Sequence, residues 1–366
     1  MKPCIGVVLG TRPEAIKLLP VIDQLTCAAW CRVELLASGQ QGLLLRQALA
    51  RSRWCELNVP PMPPSTCDAA KRLELLVQQL RPAMARLRPD LVMVHGDTAT
   101  AMAGAQVAAE LGIRIAHVEA GLRTYDLGHP YPEEGYRQAI ARLSWLHFAP
   151  TETAAANLIR ESIPPAQVHV TGNTIVDALL RDSPPAQGVP EVTGDGVFAV
   201  VTLHRRELEP HLGTVLEGLG LVLDGHPELR MLIPAHPNQV ATQRLQDGLR
   251  HRSQVQWLEP LQHACFLTVL RRSSLVITDS GGVQEEAACL GVPGVIVRKA
   301  TERQELLASG RVRLAGFDAH AIRAAVDWAL DLGPPVGASA LLGDGQAAKH
   351  IERALRRALV VRAANR

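Results

Sequence analysis

The sequence predicts an α/β protein with two doubly wound parallel sheets, each covered by helices on both faces, facing a cleft. Three observations predict this. Short, almost wholly apolar runs alternate with amphipathic helical stretches from end to end, the pattern of strands buried on both faces. The 366 residues suit two domains better than one. A Pro- and Gly-rich stretch, 181–196, interrupts the alternation near the middle and reads as a linker.

Composition narrows the function classes. With 47% hydrophobic and 20% charged residues and no low-complexity tract, intrinsic disorder is excluded as the main state. No apolar run approaches the ~18 residues that span a bilayer, and residues 1–9 read as a strand rather than a cleavable leader. A net charge of +2 gives no pull toward nucleic acid or a membrane surface. The seven cysteines are scattered without a C-x-x-C pair, and Cys27 and Cys31 lack the partners a zinc site needs. They read as reduced thiols of a cytoplasmic protein, with no metal.

Taken in order, the predicted strands of the first half are 5–9, 33–37, 91–95, 113–118, 146–149 and 168–171. Those of the second half are 197–203, 230–234, 255–258, 275–278 and 294–297. Helices are predicted over 69–88, 98–111 and 284–290, and the proline cluster 60–64 reads as a surface loop. The linker separates two Rossmann-like units, 1–180 and 181–344, and leaves 345–366 as a terminal helix predicted to pack back toward the first unit. Such sheets keep ligands beyond the carboxyl ends of their strands, so the candidate residues lie there.

The first strand ends in Gly10-Thr11-Arg12-Pro13-Glu14-Ala15-Ile16-Lys17. Glycine permits a tight turn, Thr11 suits a helix cap and Pro13 an early helical position. The helix start favours an anion, and Arg12 and Lys17 add positive charge. The motif is not G-x-G-x-x-G, so no dinucleotide cofactor is indicated. Asp97, after the strand at 91–95, stands where either a helix cap or a catalytic acid belongs. Glu119 ends the next strand and Glu133 opens a proline-braced helix, so three carboxylates stand ready for acid–base chemistry. In the second half His204 and Arg205 follow one strand. Ser280, Gly281 and Gly282 follow another, where backbone amides receive phosphate and Glu286 one turn on accepts from ribose hydroxyls.

In combination these segments resemble the non-hydrolysing UDP-N-acetylglucosamine 2-epimerases, which have the two-Rossmann GT-B architecture. The resemblance runs in order through residues 10–17, 95–97, 117–124, 130–134, 148–152, 170–174, 204–207, 278–286, 301–303 and 343–345. It implies that Asp97, Glu119, Glu133, His204, Arg12 and Lys17 are the catalytic or leaving-group residues. It implies uridine diphosphate contacts from Phe266, Ser280, Gly281, Gly282 and Glu286, with Arg12, Lys17 and His204 shared between the two sets. Arg137, Arg205, Thr301, Glu302 and Arg303 are further site candidates. A UDP-sugar is the expected substrate, no cofactor is expected, and the resemblance implies a homodimer.

The chain departs from the family pattern at Gly135-Tyr136, Leu208-Glu209-Pro210, Gln304 and Leu342. All the acids survive. The stretch Gly39-Gln40-Gln41-Gly42 keeps only the first glutamine of the pattern that holds an activating second UDP-sugar, so that effector site is expected to be weak or absent. Three rival readings share the nucleotide site: a hydrolysing 2-epimerase, a GT-B glycosyltransferase and an idle UDP-sugar-binding module. A transferase needs one base where this chain carries three acids.

Overall fold

A computed structural model describes residues 2–38, 68–181, 189–190, 196–235, 239–333, 335 and 340–360. The stretch 39–44, the proline cluster 60–64 and most of the linker lie outside the described residues. The chain forms two compact units, Met1–Leu180 with Leu342–Arg366, and Arg181–Leu341.

The first unit runs β1 (Cys4–Leu9), α1 (Arg12–Cys27), β2 (Arg32–Ala37), α2 (Ala69–Leu87), β3 (Leu91–His95) and α3 (Ala99–Glu110). It continues with β4 (Arg114–Val118), α4 (Glu133–Leu143), β5 (Leu146–Ala149), α5 (Glu152–Arg160), β6 (Val168–Val170) and α6 (Thr174–Arg181). The second unit runs β7 (Phe198–Thr202), α7 (Leu212–Gly225), β8 (Arg230–Pro234), α8 (Gln239–Leu249), β9 (Val255–Leu258) and α9 (His263–Arg272). Then come β10 (Leu275–Thr278), α10 (Gly281–Leu290), β11 (Gly294–Ile296), α11 (Gln304–Ala308), β12 (Val312–Leu314) and α12 (Ala319–Asp331). The last helix, α13 (Ala347–Val360), belongs to the first unit.

Each unit holds a six-stranded sheet, ordered β2-β1-β3-β4-β5-β6 and β12-β11-β10-β7-β8-β9, with every pairing parallel. This is the doubly wound α/β class the sequence predicts. Strand order reverses between β1 and β3 in the first sheet and between β7 and β10 in the second. Loops diverge there and leave a crevice at the carboxyl edge. Most candidate residues follow β1, β3, β4, β7 and β10, at or beside those two points; Phe266 follows β9, and Thr301, Glu302 and Arg303 follow β11.

Alternation along each strand feeds two cores. Val7 and Leu9 face α1 and α13, where Leu18, Ile22 and Leu25 meet Ile351, Leu355 and Leu359. Val8 faces α2 and α3, packing with Leu76, Leu80, Met84 and Ala101. Each buried aliphatic side chain contributes about 1.5–3 kcal/mol, so α13 is held by its own apolar stripe.

Two elements differ from the sequence expectation. The edge strand β12 has Arg313 exposed at its centre, which breaks the apolar run that marks the other strands. Helix α10 begins at Gly281, not at 284, because Ser280 takes the cap position and draws both glycines into the first turn. Their poor helix propensity hides that turn. The five described cysteines are free thiols. No helix among the described residues is long and apolar enough to cross a membrane.

Candidate active site

In the first unit Thr11 caps α1, accepting the Glu14 N–H, while the Glu14 carboxylate returns a bond to the Thr11 N–H at 2.7 Å. This reciprocal box fixes the turn that presents Arg12 and, one turn on, Lys17. The turn also requires glycine: a Cβ at Gly10 would stand 2.0 Å from Thr100 Oγ1. Lys17 is buried and forms an ion pair with Glu119, whose Oε2 also lies 3.5 Å from His95 Nε2.

Glu119 sits beyond β4 with φ of 62°, a left-handed conformation that strains a non-glycine residue by roughly 1–3 kcal/mol. The turn aims its carboxylate back at the end of β3, where a Cβ built on Gly96 would lie 3.4 Å from Glu119 Oε1. Behind it, His117 Nε2 donates to the Gly96 carbonyl at 2.8 Å and ties the ends of β3 and β4 together.

Asp97 is not the cap of α3; Thr98 takes that role, its oxygen accepting the Ala101 N–H at 3.0 Å. The Asp97 carboxylate is instead held by Arg137 Nη2 at 2.7 Å. Arg137 donates its other terminal nitrogen to Glu134 at 2.7 Å. Glu134 is wholly buried and also accepts from the N–H groups of Thr124 and Tyr125 and from Gln138 Nε2. Glu133 opens α4 just after two cis peptide bonds, His129–Pro130 and Tyr131–Pro132. Tyr136, a departure from the family pattern, packs against the Val8 core.

In the second unit Asp279 ends β10 and is fully buried. Its Oδ2 accepts the N–H groups of His204 and Arg205, each at 2.8 Å, which pins the loop after β7. Burial, reinforced by the Arg205 charge, lowers the His204 pKa to about 4. Ser280 takes the cap position of α10 without a side-chain bond to the helix, and the N–H groups of the first turn, Gly281 and Gly282, open at that end.

Beneath this helix end runs a buried charge chain. Arg298 donates to Glu207 at 2.8 Å and Glu302 at 3.2 Å, and Arg303 pairs with Glu302 and with Glu285 at 2.7 Å. The Arg303 guanidinium lies where a side chain at residue 281 would stand, with Nη1 2.5 Å from the Cβ position. Thr301 donates to Gln284 at 3.0 Å. Glu286 pairs with His263 Nε2 at 2.8 Å, and Phe266 packs half-buried against the cluster of Phe198, Val200, Leu232 and Val276 on one face of the second sheet.

Among the predicted residues, the geometry joins Lys17 with Glu119 and Asp97 with Arg137 at neighbouring strand ends. It likewise joins Glu302 with Arg303. Sequence reasoning gave no role to Glu14, Glu134, Asp279 or Arg298. The first had a signal, the Thr-x-x-Glu capping pattern of residues 11–14. Glu134 had one too, its helical spacing to Arg137 and Gln138, whereas the bonds of Asp279 to His204 and of Arg298 to Glu207 reach across the fold and leave no local trace.

The model of one protein family, UDP-N-acetylglucosamine 2-epimerase, matches residues 33–356. The chain belongs to that family. It is 35% identical over 326 residues to the UDP-N-acetylglucosamine 2-epimerase of Escherichia coli K12, covering 85% of this chain and 86% of the relative. The structure of the Neisseria meningitidis UDP-GlcNAc 2-epimerase bound to UDP-GlcNAc superposes with a TM-score of 0.87 at 32% identity, covering 97% of this chain and 100% of that one. The Methanocaldococcus jannaschii UDP-GlcNAc 2-epimerase in complex with UDP-GlcNAc and UDP gives 0.84 at 30% identity, covering 96% and 99%. The GT-B-like fold of this epimerase family is therefore the fold of this chain.

Proposed function

We propose that this epimerase interconverts UDP-N-acetylglucosamine and UDP-N-acetylmannosamine without net hydrolysis, by eliminating UDP and adding it back. The observation that carries the mechanism is the pairing of two carboxylates with cations at adjacent strand ends: Glu119 with Lys17, and Asp97 with Arg137. Each acid is thereby fixed in direction, as a proton-transfer group must be.

The chemistry demands such acids. The C2 hydrogen of the sugar has no neighbouring carbonyl and is not acidic. Breaking the C1–O bond sends its electron pair out with UDP and leaves oxocarbenium character at C1. That acidifies C2, and a carboxylate takes its proton to give a glycal. UDP then re-adds at C1 while an acid delivers a proton to the opposite face of C2. In this reading Asp97, Glu119 and Glu133 carry the proton steps. Arg12, Lys17 and His204 stabilise charge on the departing diphosphate. Ser280, Gly281, Gly282 and Phe266 hold UDP, and Glu286, oriented by His263, accepts from the ribose. Arg205, Thr301, Glu302 and Arg303 support that nucleotide site.

The test is incubation with UDP-N-acetylglucosamine in deuterated water, followed by NMR of the sugar. The manno epimer carrying deuterium at C2 is the expected product. Free N-acetylmannosamine would instead establish the hydrolysing reaction, and unchanged substrate the transferase or the idle module. We also place the protein in the cytoplasm as a homodimer; a monomer mass by light scattering would overturn the latter.

A further inference from the structure

Glu14 is 2% exposed, and its two oxygens divide between two turns. Oε2 accepts the N–H groups of Gly10 at 3.2 Å and Thr11 at 2.7 Å, while Oε1 accepts the hydroxyl of Thr98 at 2.8 Å. The first turn carries Arg12 and leads into Lys17. The second carries Asp97. Capping α1 requires only the bond to Thr11. The bond to Thr98 reaches across the sheet to a helix start 84 residues away.

The same corner is laced by a second bond, Ser38 to Thr100 at 2.8 Å, packed against Gly10 so closely that no side chain fits there. Thr98 thus serves two masters with one hydroxyl, accepting from Ala101 and donating to Glu14. Burial pushes the Glu14 carboxyl up to about 7, against the pull of its bonds to Thr11, Thr98 and Gly10. A helix cap functions at the surface without that penalty; a tie between two turns does not.

We propose that Glu14 is a positioning residue of the epimerase reaction, holding the Asp97 turn in register with the turn of Arg12 and Lys17 through Thr98. The proposal rests on the reaction proposed above. Misplacing reacting groups by a fraction of an ångström lowers the rate of the chemical step, while UDP, the larger part of the ligand, still binds through the second unit's residues.

The experiment is steady-state epimerisation by the full-length protein for Glu14→Ala, Thr98→Val, Thr98→Ser and the double variant Glu14→Ala/Thr98→Val. We expect kcat to fall about tenfold or more in Thr98→Val with KM within about threefold, and Thr98→Ser to retain wild-type kcat. In the Glu14→Ala background Thr98→Val adds little further loss, because the two residues act through one bond. Should Glu14→Ala not fold, Thr98→Asp decides in its place, because it still caps α3 but cannot donate to the Glu14 carboxylate, and a wild-type kcat there would overturn the proposal. Loss of melting temperature without loss of kcat in Thr98→Val would reduce the bond to a helix cap and overturn the proposal, as would additive losses in the double variant. An inactive wild-type protein would instead overturn the reaction itself and the positioning role with it.

Discussion

Asp279 holds His204 from two sides: one carboxylate oxygen accepts the His204 N–H at 2.8 Å, and the other lies 3.4 Å from the ring Nδ1. A buried carboxylate against Nδ1 favours the tautomer with its proton there, so a proton taken up at Nε2 gives an imidazolium, the form that stabilises charge on a departing diphosphate. Asp279→Asn keeps an oxygen for the backbone but turns an N–H2 toward Nδ1. The ring must then take the opposite tautomer, the effect that disables the Ser-His-Asp triad when its Asp becomes Asn. We expect kcat to fall at least about tenfold and the ¹⁵N shifts of the His204 ring to exchange character. Unchanged turnover would mean that Asp279 does not set the tautomer of His204.

Arg137 bridges Asp97 and the buried Glu134 with one guanidinium. Arg137→Met leaves Glu134 buried without its cation, which typically destabilises by about 3–5 kcal/mol. Adding Glu134→Gln removes the stranded charge, so the double variant should regain most of that stability. It should not regain activity, since Asp97 still lacks its anchor. Urea denaturation and turnover on the same samples separate the two effects, and recovery of both together would show that Arg137 matters only for folding.

The three acids themselves are tested by Asp97→Asn, Glu119→Gln and Glu133→Gln. Each should fold and lose about 10²- to 10⁴-fold in turnover, the usual weight of a proton-transfer group. Glu119→Gln has a second expected effect: Lys17, 4% exposed, loses its ion pair with Glu119 and the melting temperature drops. Near-normal turnover in all three would remove the acid–base scheme.

What was legible in the sequence follows from the reach of each signal. Strand β3 shows itself because it is buried throughout and its first four residues, Leu91 to Val94, form an unbroken apolar run. Strand β12 is hidden because an edge position tolerates Arg313 in its middle. The cap of α1 is written in four consecutive residues, Thr11 to Glu14. No comparable pattern distinguishes Asp97 from Thr98 as the cap of α3, since both types cap well; the Ala101 N–H bond to Thr98 and the pairing of Asp97 with Arg137 settle it in the fold. The bond from Arg298 to Glu207 spans 91 residues, and that from His204 to Asp279 spans 75. Periodicity and local motifs carry no information at that range, so the supporting network of the second unit appears only in three dimensions.

The last prediction concerns acid. His117 and His147 are fully buried on paired positions of β4 and β5, and burial lowers their pKa values to about 3 and about 4. The unfolded chain protonates both near 6.5, so the stability that neutral burial supplies is complete above that pH and is lost as pH falls toward 4. Each site loses about 1.4 kcal/mol per pH unit in that window, together roughly 4 kcal/mol at pH 5. Glu14 works in the opposite sense, because its raised carboxyl gains a proton on folding below about pH 7. The net slope of the wild type therefore mixes both, and the decisive quantity is a difference between proteins. The variant His117→Gln/His147→Leu removes the two titrations; its stability relative to wild type should improve by roughly 4 kcal/mol between pH 7.5 and pH 5 in urea denaturation. A difference that stays constant across that range would mean that both rings take up protons in the folded protein just as they do in the unfolded chain, and the burial of a neutral His117 against the Gly96 carbonyl would have to be abandoned.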